Sequence, residues 1–344
     1  MSDPATPHRR RPRYQGRNPR RFEEKYKEHA PDQYPETVAR VLASGKTPAG
    51  AHVPILVEEV LAALEPAAGE VAADCTLGYG GHARAVLPRL LPGGVLLGLD
   101  VDPLELPRTE ARFRALGFEP DVFRARRSNF AGLPQALAAE SLAGADCVLA
   151  DLGVSSMQLD APHRGFSFKA AGPLDMRMNP ERGQPASAWL ENITAPKLAR
   201  LLADCADEPH AADLATALAG QRLQDTAALA AAVRAALPGA GKEERELSVR
   251  RVFQAVRIAV NEEFTALEAL LRHLPECLNP GGRVAILSFH SGEDRRVKKA
   301  FQAGFRDGTY AAVSEEVVRP TPAECRANPR ARPAKLRWAR RPRV

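Results

Sequence analysis

Three stretches of the 344-residue chain have the residue types and spacing to do chemistry. The first is Asp74-Cys75-Thr76-Leu77-Gly78-Tyr79-Gly80-Gly81-His82, followed downstream by Asp100. Gly78, Gly80 and Ala83 satisfy G-x-G-x-x-G/A, and an acid follows about twenty residues on. Such glycines let a backbone approach a ligand, and the helix after them offers unpaired N–H groups. Asp100 is placed to accept from two ribose hydroxyls. The pattern suits an adenosine-bearing cofactor. It fits a nicotinamide dinucleotide and S-adenosyl-L-methionine equally well, and a purely structural tight turn is a third reading.

The second stretch is Asp151-Leu152-Gly153-Val154-Ser155-Ser156. Asp151 at a strand tip would lie beside the reactive end of the cofactor, Gly153 allows close backbone approach, and Ser155 adds a hydroxyl. The plainer alternative is a turn or helix cap. The third is Ser288-Phe289-His290-Ser291-Gly292-Glu293-Asp294. His290 is a candidate polar contact or stacking group for a base, while Ser291 and Asp294 match an S-x-x-D cap. Gln254, Arg257 and Asn261 share one helix face at i, i+3 and i+7, and are expected to line the cleft.

These residues need elements to hold them. Val71–Asp74, Val95–Asp100, Pro120–Arg124, Ala145–Asp151 and Gly282–Phe289 read as strands, separated by helical runs at 54–64, 83–91, 104–116 and 133–139. That alternation predicts an α/β fold with a parallel sheet covered on both faces, whose ligands collect at the carboxyl ends of the strands. The fifth strand comes about 130 residues after the fourth, far more than a crossover needs. The stretch 159–250 is therefore predicted to be an inserted helical domain, with helices at 196–206, 211–223 and 226–237. One long helix, 247–274, is expected to return the chain to the sheet. A helix at 293–303 and strands at 311–319 and 335–340 complete the reading. The domain prediction is a basic, disordered extension over 1–48, with a short helix open at 36–43. A cofactor domain follows, built from 49–158 and 251–344.

The net charge is +6, with the positive excess at the two ends, so a polyanionic partner fits. Five scattered cysteines with no C-x-x-C argue against zinc and disulfides and for a reducing compartment. No metal is expected. No stretch has the length of a membrane span and no signal peptide is visible, so the expected setting is the cytoplasm, away from membranes.

On its motifs the chain resembles the bacterial MraW/RsmH family. The resemblance runs from about 51 to 344 through His52-Val53-Pro54-Ile55-Leu56, the glycine turn, Asp151 to Asp160, Arg164-Gly165-Phe166-Ser167-Phe168, Gly172-Pro173-Leu174-Asp175-Met176-Arg177-Met178, Phe253 to Ile258 with Asn261-Glu262, Ser288-Phe289-His290-Ser291 and Asn328-Pro329-Arg330-Ala331-Arg332. The run 151–160 and the PLDMRM and SFHS segments are far more specific than a glycine turn. The resemblance implies a class I S-adenosyl-L-methionine-dependent methyltransferase, a Rossmann-like doubly wound sheet with an inserted helical domain. It decides for S-adenosyl-L-methionine over a nicotinamide. The implied reaction is methylation of the N4 amine of a specific cytidine in the decoding region of 16S ribosomal RNA. The partner is then the small ribosomal subunit, with a homodimer as one option.

Carried over by motif, Gly80, Gly81, His82, Asp100, Phe130, Asp151 and Gln158 would contact the cofactor. Asp151, Ser155 and His290 are the catalytic candidates. Arg257, Arg330, Arg332 and Lys335, with Arg337 beside them, would grip RNA phosphates. The sequence departs from the family pattern at Cys205-Ala206-Asp207-Glu208-Pro209-His210-Ala211-Ala212-Asp213, where Tyr-Gly-Glu-Glu and a basic pair are usual, and at Gly292, where Leu is favoured.

Overall fold

The computed structural model describes residues 54–344. The basic segment 1–48 and the short helix expected within it lie outside the described residues. From Val57 the chain alternates as read: α1 (Val57–Leu64), β1 (Val71–Asp74), α2 (Gly81–Leu90), β2 (Val95–Asp100), α3 (Glu105–Ala115), β3 (Phe123–Arg127), α4 (Leu133–Ala139) and β4 (Ala145–Asp151). A one-turn helix, α5 (Ser156–Asp160), leads into the inserted segment. That segment carries α6 (Ala186–Asn192), α7 (Ala195–Ala206), α8 (Ala211–Leu218), α9 (Thr226–Ala236) and α10 (Lys242–Val260). The return to the sheet runs through α11 (Glu263–Cys277) and β5 (Leu278–Ser288). Then come α12 (Ser291–Arg306), β6 (Ala312–Val313), α13 (Pro322–Ala327) and β7 (Lys335–Arg340).

The strands form one seven-stranded sheet in the order β3-β2-β1-β4-β5-β7-β6. The first five are parallel, and β7 runs antiparallel between β5 and β6. The chain winds outward from β1 in one direction to β3 and then in the other from β4. A crevice therefore opens at the carboxyl ends of β1 and β4, the topological switch point. This is the strand order of the class I methyltransferase fold.

Each face of the sheet buries its own apolar layer. Leu56, Leu64, Leu87, Leu90 and Phe123 pack on one face, and Leu133, Leu137, Leu270, Leu274, Val297 and Phe301 on the other. The central strands are apolar on both sides because both faces are covered, the pattern of parallel sheets. A third, separate core joins α6–α10 through Leu190, Leu198, Leu202, Leu214, Leu229, Val233, Val249, Val252 and Val256.

The expected single helix over 247–274 is two helices. α10 starts at Lys242, ends at Val260, and Glu262 takes a left-handed backbone (φ 52°) before α11 begins. Neither Gly nor Pro marks this break. Asn261 holds it instead: its Oδ1 accepts from Met178 N at 2.7 Å and its Nδ2 donates to Met176 O at 2.7 Å. The hydrophobic unit of the insertion accordingly extends through α10, past residue 250. Two further differences lie at the end of the chain. Pro322–Ala327 is a helix, capped by the Thr321 hydroxyl that accepts from Glu324 N at 3.1 Å, where only a loop was expected. The strand expected over 311–319 is reduced to Ala312–Val313. Among the described residues no helix is long and apolar enough to cross a membrane.

Candidate active site

Asp100, Asp74 and Asp151 stand at the carboxyl ends of three neighbouring strands, β2, β1 and β4. None forms an ion pair with a Lys or Arg among the described residues. Burial pushes the carboxyls of Asp74 and Asp100 up to about 6. Burial, with the nearby charge of Glu293, pushes Asp151 up to about 7. Three crowded acids without cationic partners make a site that favours a positively charged ligand.

The glycine turn is fixed to this floor. Asp100 Oδ2 accepts from Gly78 N at 2.7 Å, and Oδ1 accepts from Asp102 N at 2.8 Å. Thr109 Oγ1 donates to Gly78 O at 2.6 Å, which locks the turn onto α3. The glycines have different duties. A Cβ on Gly80 would stand 2.4 Å from the Phe113 ring, and one on Gly81 would stand 3.0 Å from Pro54. These two are glycine because protein packs against them. A Cβ on Gly78 (φ +48°) would meet only Thr76 O at 3.7 Å, so this position is open where Gly80 and Gly81 are not. It belonged to the sequence pattern yet not to the expected contact set.

His82 sits in the first turn of α2 and is buried. Its Nε2 lies 2.9 Å from Ile55 O and its Nδ1 3.6 Å from Asp151 Oδ2. Burial lowers its pKa. The backbone N of Asp151 donates to Thr76 Oγ1 at 2.6 Å, tying the tip of β4 to the turn after β1. Oδ1 of Asp151 is buried with no hydrogen-bond partner. Phe130 lies in the short turn 130–132 after β3, half-buried against the sheet core.

Ser155 and Gln158 serve one another. Ser155 Oγ accepts from Gln158 N at 3.2 Å, and Gln158 Oε1 accepts from Ser155 N at 2.9 Å, a reciprocal cap on α5. This is the cap reading of the second stretch, so the Ser155 hydroxyl starts a helix. Gln158 Nε2 also donates to Asp102 Oδ2 at 3.0 Å. That oxygen receives Arg164 Nη1 at 2.8 Å as well, and Arg164 Nη2 donates to Met178 O at 2.8 Å. Asp102 and Arg164 are both buried, and they join the cofactor-side loop to the inserted segment. Neither was singled out from sequence, although Arg164 stood inside a quoted motif.

His290 precedes α12 and packs beside Phe264, with ring centroids 5.7 Å apart. Its Nε2 lies 3.2 Å from Glu293 Oε1 without good alignment, and Glu293 Oε2 accepts from Phe289 N at 2.9 Å. Arg257 does not face open cleft. Its side chain is 15% exposed, and its Nε and Nη2 donate to Glu263 Oε1 and Oε2 at 2.8 and 2.9 Å. Gln254 donates to Cys205 O at 2.9 Å. The polar stripe expected to line the cleft therefore ties α10 to its neighbours. Arg330 pairs with Asp160 at 2.6 Å and Lys335 with Asp294 at 3.2 Å. Arg337 is buried against Asp294, and Arg332 is exposed.

The MraW methylase family model matches residues 49–342. Ribosomal RNA small subunit methyltransferase H 2 of Alkaliphilus metalliredigens is 48% identical over 96% of this chain and 97% of its own length. The H 1 protein of Lachnoclostridium phytofermentans is 44% identical over 96% and 93%. Ribosomal RNA small subunit methyltransferase H of an Anaeromyxobacter species is 42% identical over 83% and 96%. Coverage of 96% leaves too few residues unmatched to omit the basic N-terminal segment, so some relatives share that extension and others lack it. The unpaired acids and the open side of Gly78 fit a cofactor that carries a cationic sulfonium and an ammonium group. The chain belongs to the MraW methylase family, and S-adenosyl-L-methionine is its methyl donor.

Proposed function

We propose that the protein methylates the N4 amine of a specific cytidine in the decoding region of 16S ribosomal RNA in the small subunit. The observation that carries the chemistry is Asp151, a carboxyl 30% exposed at the tip of β4 beside the glycine turn. The substrate class is supported by relatives named for the ribosomal RNA of the small subunit, aligned over nearly their full lengths. When bound, S-adenosyl-L-methionine supplies an electrophilic methyl group.

The chain's residues do the remaining work. Gly78 leaves space, Asp100 offers ribose the lone pairs its backbone bonds do not use, and Phe130 packs near the adenine. Asp74 and Asp151 complement the cationic end. The exocyclic amine of cytosine is a weak nucleophile because its lone pair is delocalised into the ring. The Asp151 carboxylate, through the oxygen left open to the crevice, accepts an N–H of that amine and localises the pair. A backbone carbonyl within 153–155 is the second acceptor available. Alignment of the two reactants in the crevice supplies much of the rate.

The base reaches the crevice turned out of its stack. The inserted helices and the segment 328–335 hold the surrounding RNA. Arg332 is the foremost phosphate contact because it is exposed, whereas Arg330 and Lys335 reach RNA from acid-paired positions. Arg257 acts from behind, holding Glu263. His290 is the candidate stacking partner for the base.

Small-subunit RNA from cells deleted for the gene should lack one N4-methylated cytidine by nucleoside mass spectrometry. The intact gene should restore it and Asp151→Asn should not. An unaltered nucleoside profile in the deletion strain would overturn the proposal.

A further inference from the structure

Thr76 lies two residues past the end of β1 and extends the sheet with its side chain. The register between β1 and β4 has its last pair at Asp74 and Leu149. Cys75 N continues the ladder by donating to Leu149 O at 2.8 Å. At the next step the partner of Asp151 N is no backbone carbonyl but Thr76 Oγ1, at 2.6 Å. Thr76 N meanwhile donates to Asp74 Oδ1 at 3.1 Å. The hydroxyl thus stands between the tips of β1 and β4, at the switch point where the crevice opens.

A hydroxyl that accepts one hydrogen bond still has its own hydrogen to give. Among the described residues nothing accepts it, and Thr76 is only partly buried, so that donor is open to a ligand. The amino-acid end of S-adenosyl-L-methionine carries an ammonium and a carboxylate. The acids at the strand tips favour the ammonium and the sulfonium and repel the carboxylate. A neutral donor answers this conflict. It can hold a carboxylate among acids, whereas a Lys or Arg in its place would pair with those acids and cancel their pull on the cations.

We propose that Thr76 is a cofactor-binding residue whose hydroxyl accepts from Asp151 N and donates to the carboxylate of the cofactor's amino-acid end. One oxygen then sets both the backbone of Asp151 and the amino-acid end of the cofactor. This contact requires the cofactor and is independent of which RNA atom is methylated.

The test is equilibrium binding to the full-length protein without RNA. Two ligands are compared: S-adenosyl-L-methionine and its decarboxylated analogue, which keeps the sulfonium and the ammonium. Thr76→Val keeps the shape and removes the hydroxyl. It should weaken S-adenosyl-L-methionine about tenfold more than it weakens the analogue, the scale of a hydrogen bond to a charged group. Loss of the bond to Asp151 N acts on both ligands alike and cancels in that ratio. Thr76→Ser keeps the hydroxyl and should keep the wild-type ratio. Thr76→Ala removes the hydroxyl without placing a methyl group against Asp151 N, and it takes the place of Thr76→Val if that variant does not fold. A wild-type ratio in the hydroxyl-free variants means that the carboxylate is held elsewhere, as by the uncapped first turn of α2, and overturns the contact. A ratio lost as fully in Thr76→Ser as in Thr76→Val makes the effect one of shape and overturns it as well.

Discussion

At the scale of single residues, Asp151 carries the heaviest assignment. Asp151→Asn keeps size and the backbone bond to Thr76 but loses the basic oxygen. It should lower turnover by about 100-fold, the low end for a positioned acid–base group, and cofactor affinity by the smaller factor, up to about tenfold, that its ionised form contributes. Single-turnover rates beside equilibrium binding check this. The acids around it make a pH prediction. Asp74 and Asp100 at about 6 and Asp151 at about 7 lie above their unfolded values. Their contribution to stability is therefore present below about pH 4 and lost as pH rises through 6 to 7. A bound cation reverses that penalty by favouring the ionised acids. Affinity for S-adenosyl-L-methionine should rise between pH 6 and 8, by up to about tenfold per pH unit for each proton released. Calorimetry in buffers of different ionisation enthalpy reads the protons directly. Pure residue types were a partial guide here. Asp151 and His82 stood out in the sequence, but the contact of His82 with Ile55 O and the charge of Glu293 near Asp151 come from segments that no spacing rule connects. Gly80 and Gly81 were read as cofactor glycines, and the sequence did not show that a Cβ there would also meet Phe113 and Pro54.

At the scale of elements, the sheet was legible because strand tips and helical stripes follow local pattern. β4 and α4 have the expected bounds. The break between α10 and α11 was not legible, because its cause is tertiary. An apolar-periodic run without Gly or Pro reads as one helix, whereas Asn261 bonds to Met176 and Met178 at the break and Glu262 takes a left-handed backbone. The same segment is held from the other side by Arg164, whose partner Asp102 is 1% exposed. Arg164 thus joins the loop after β2 to the start of the insertion. Arg164→Met should leave Asp102 as a buried, unpaired charge and cost about 3 kcal/mol. The double variant with Asp102→Asn should recover a large part of it. Urea unfolding of the two single variants and the double variant measures this, and full additivity would deny the pairing its role.

At the scale of the whole molecule, the chain is an adenosine-binding sheet with a helical unit inserted between β4 and β5 and basic residues near its end. The net charge of +6 suits a polyanion, and the exposed Arg332 is the proposed phosphate contact. Arg332→Gln should weaken RNA binding and reduce the dependence of its logarithm on salt by about one unit. Binding of S-adenosyl-L-methionine should not change, and an unaltered salt slope would remove Arg332 from the interface. The long interval between strands pointed to inserted helices, and α10 packs with them while leading the chain back towards the sheet, a tertiary contact that no local pattern displays.

The most direct measurement is transfer of labelled methyl from S-adenosyl-L-methionine to small ribosomal subunits lacking the modification, followed by nucleoside mass spectrometry. Label recovered as N4-methylcytidine at a single site is the predicted result. Label on another atom or another nucleoside, or no transfer from a protein that still binds the cofactor, would contradict the account.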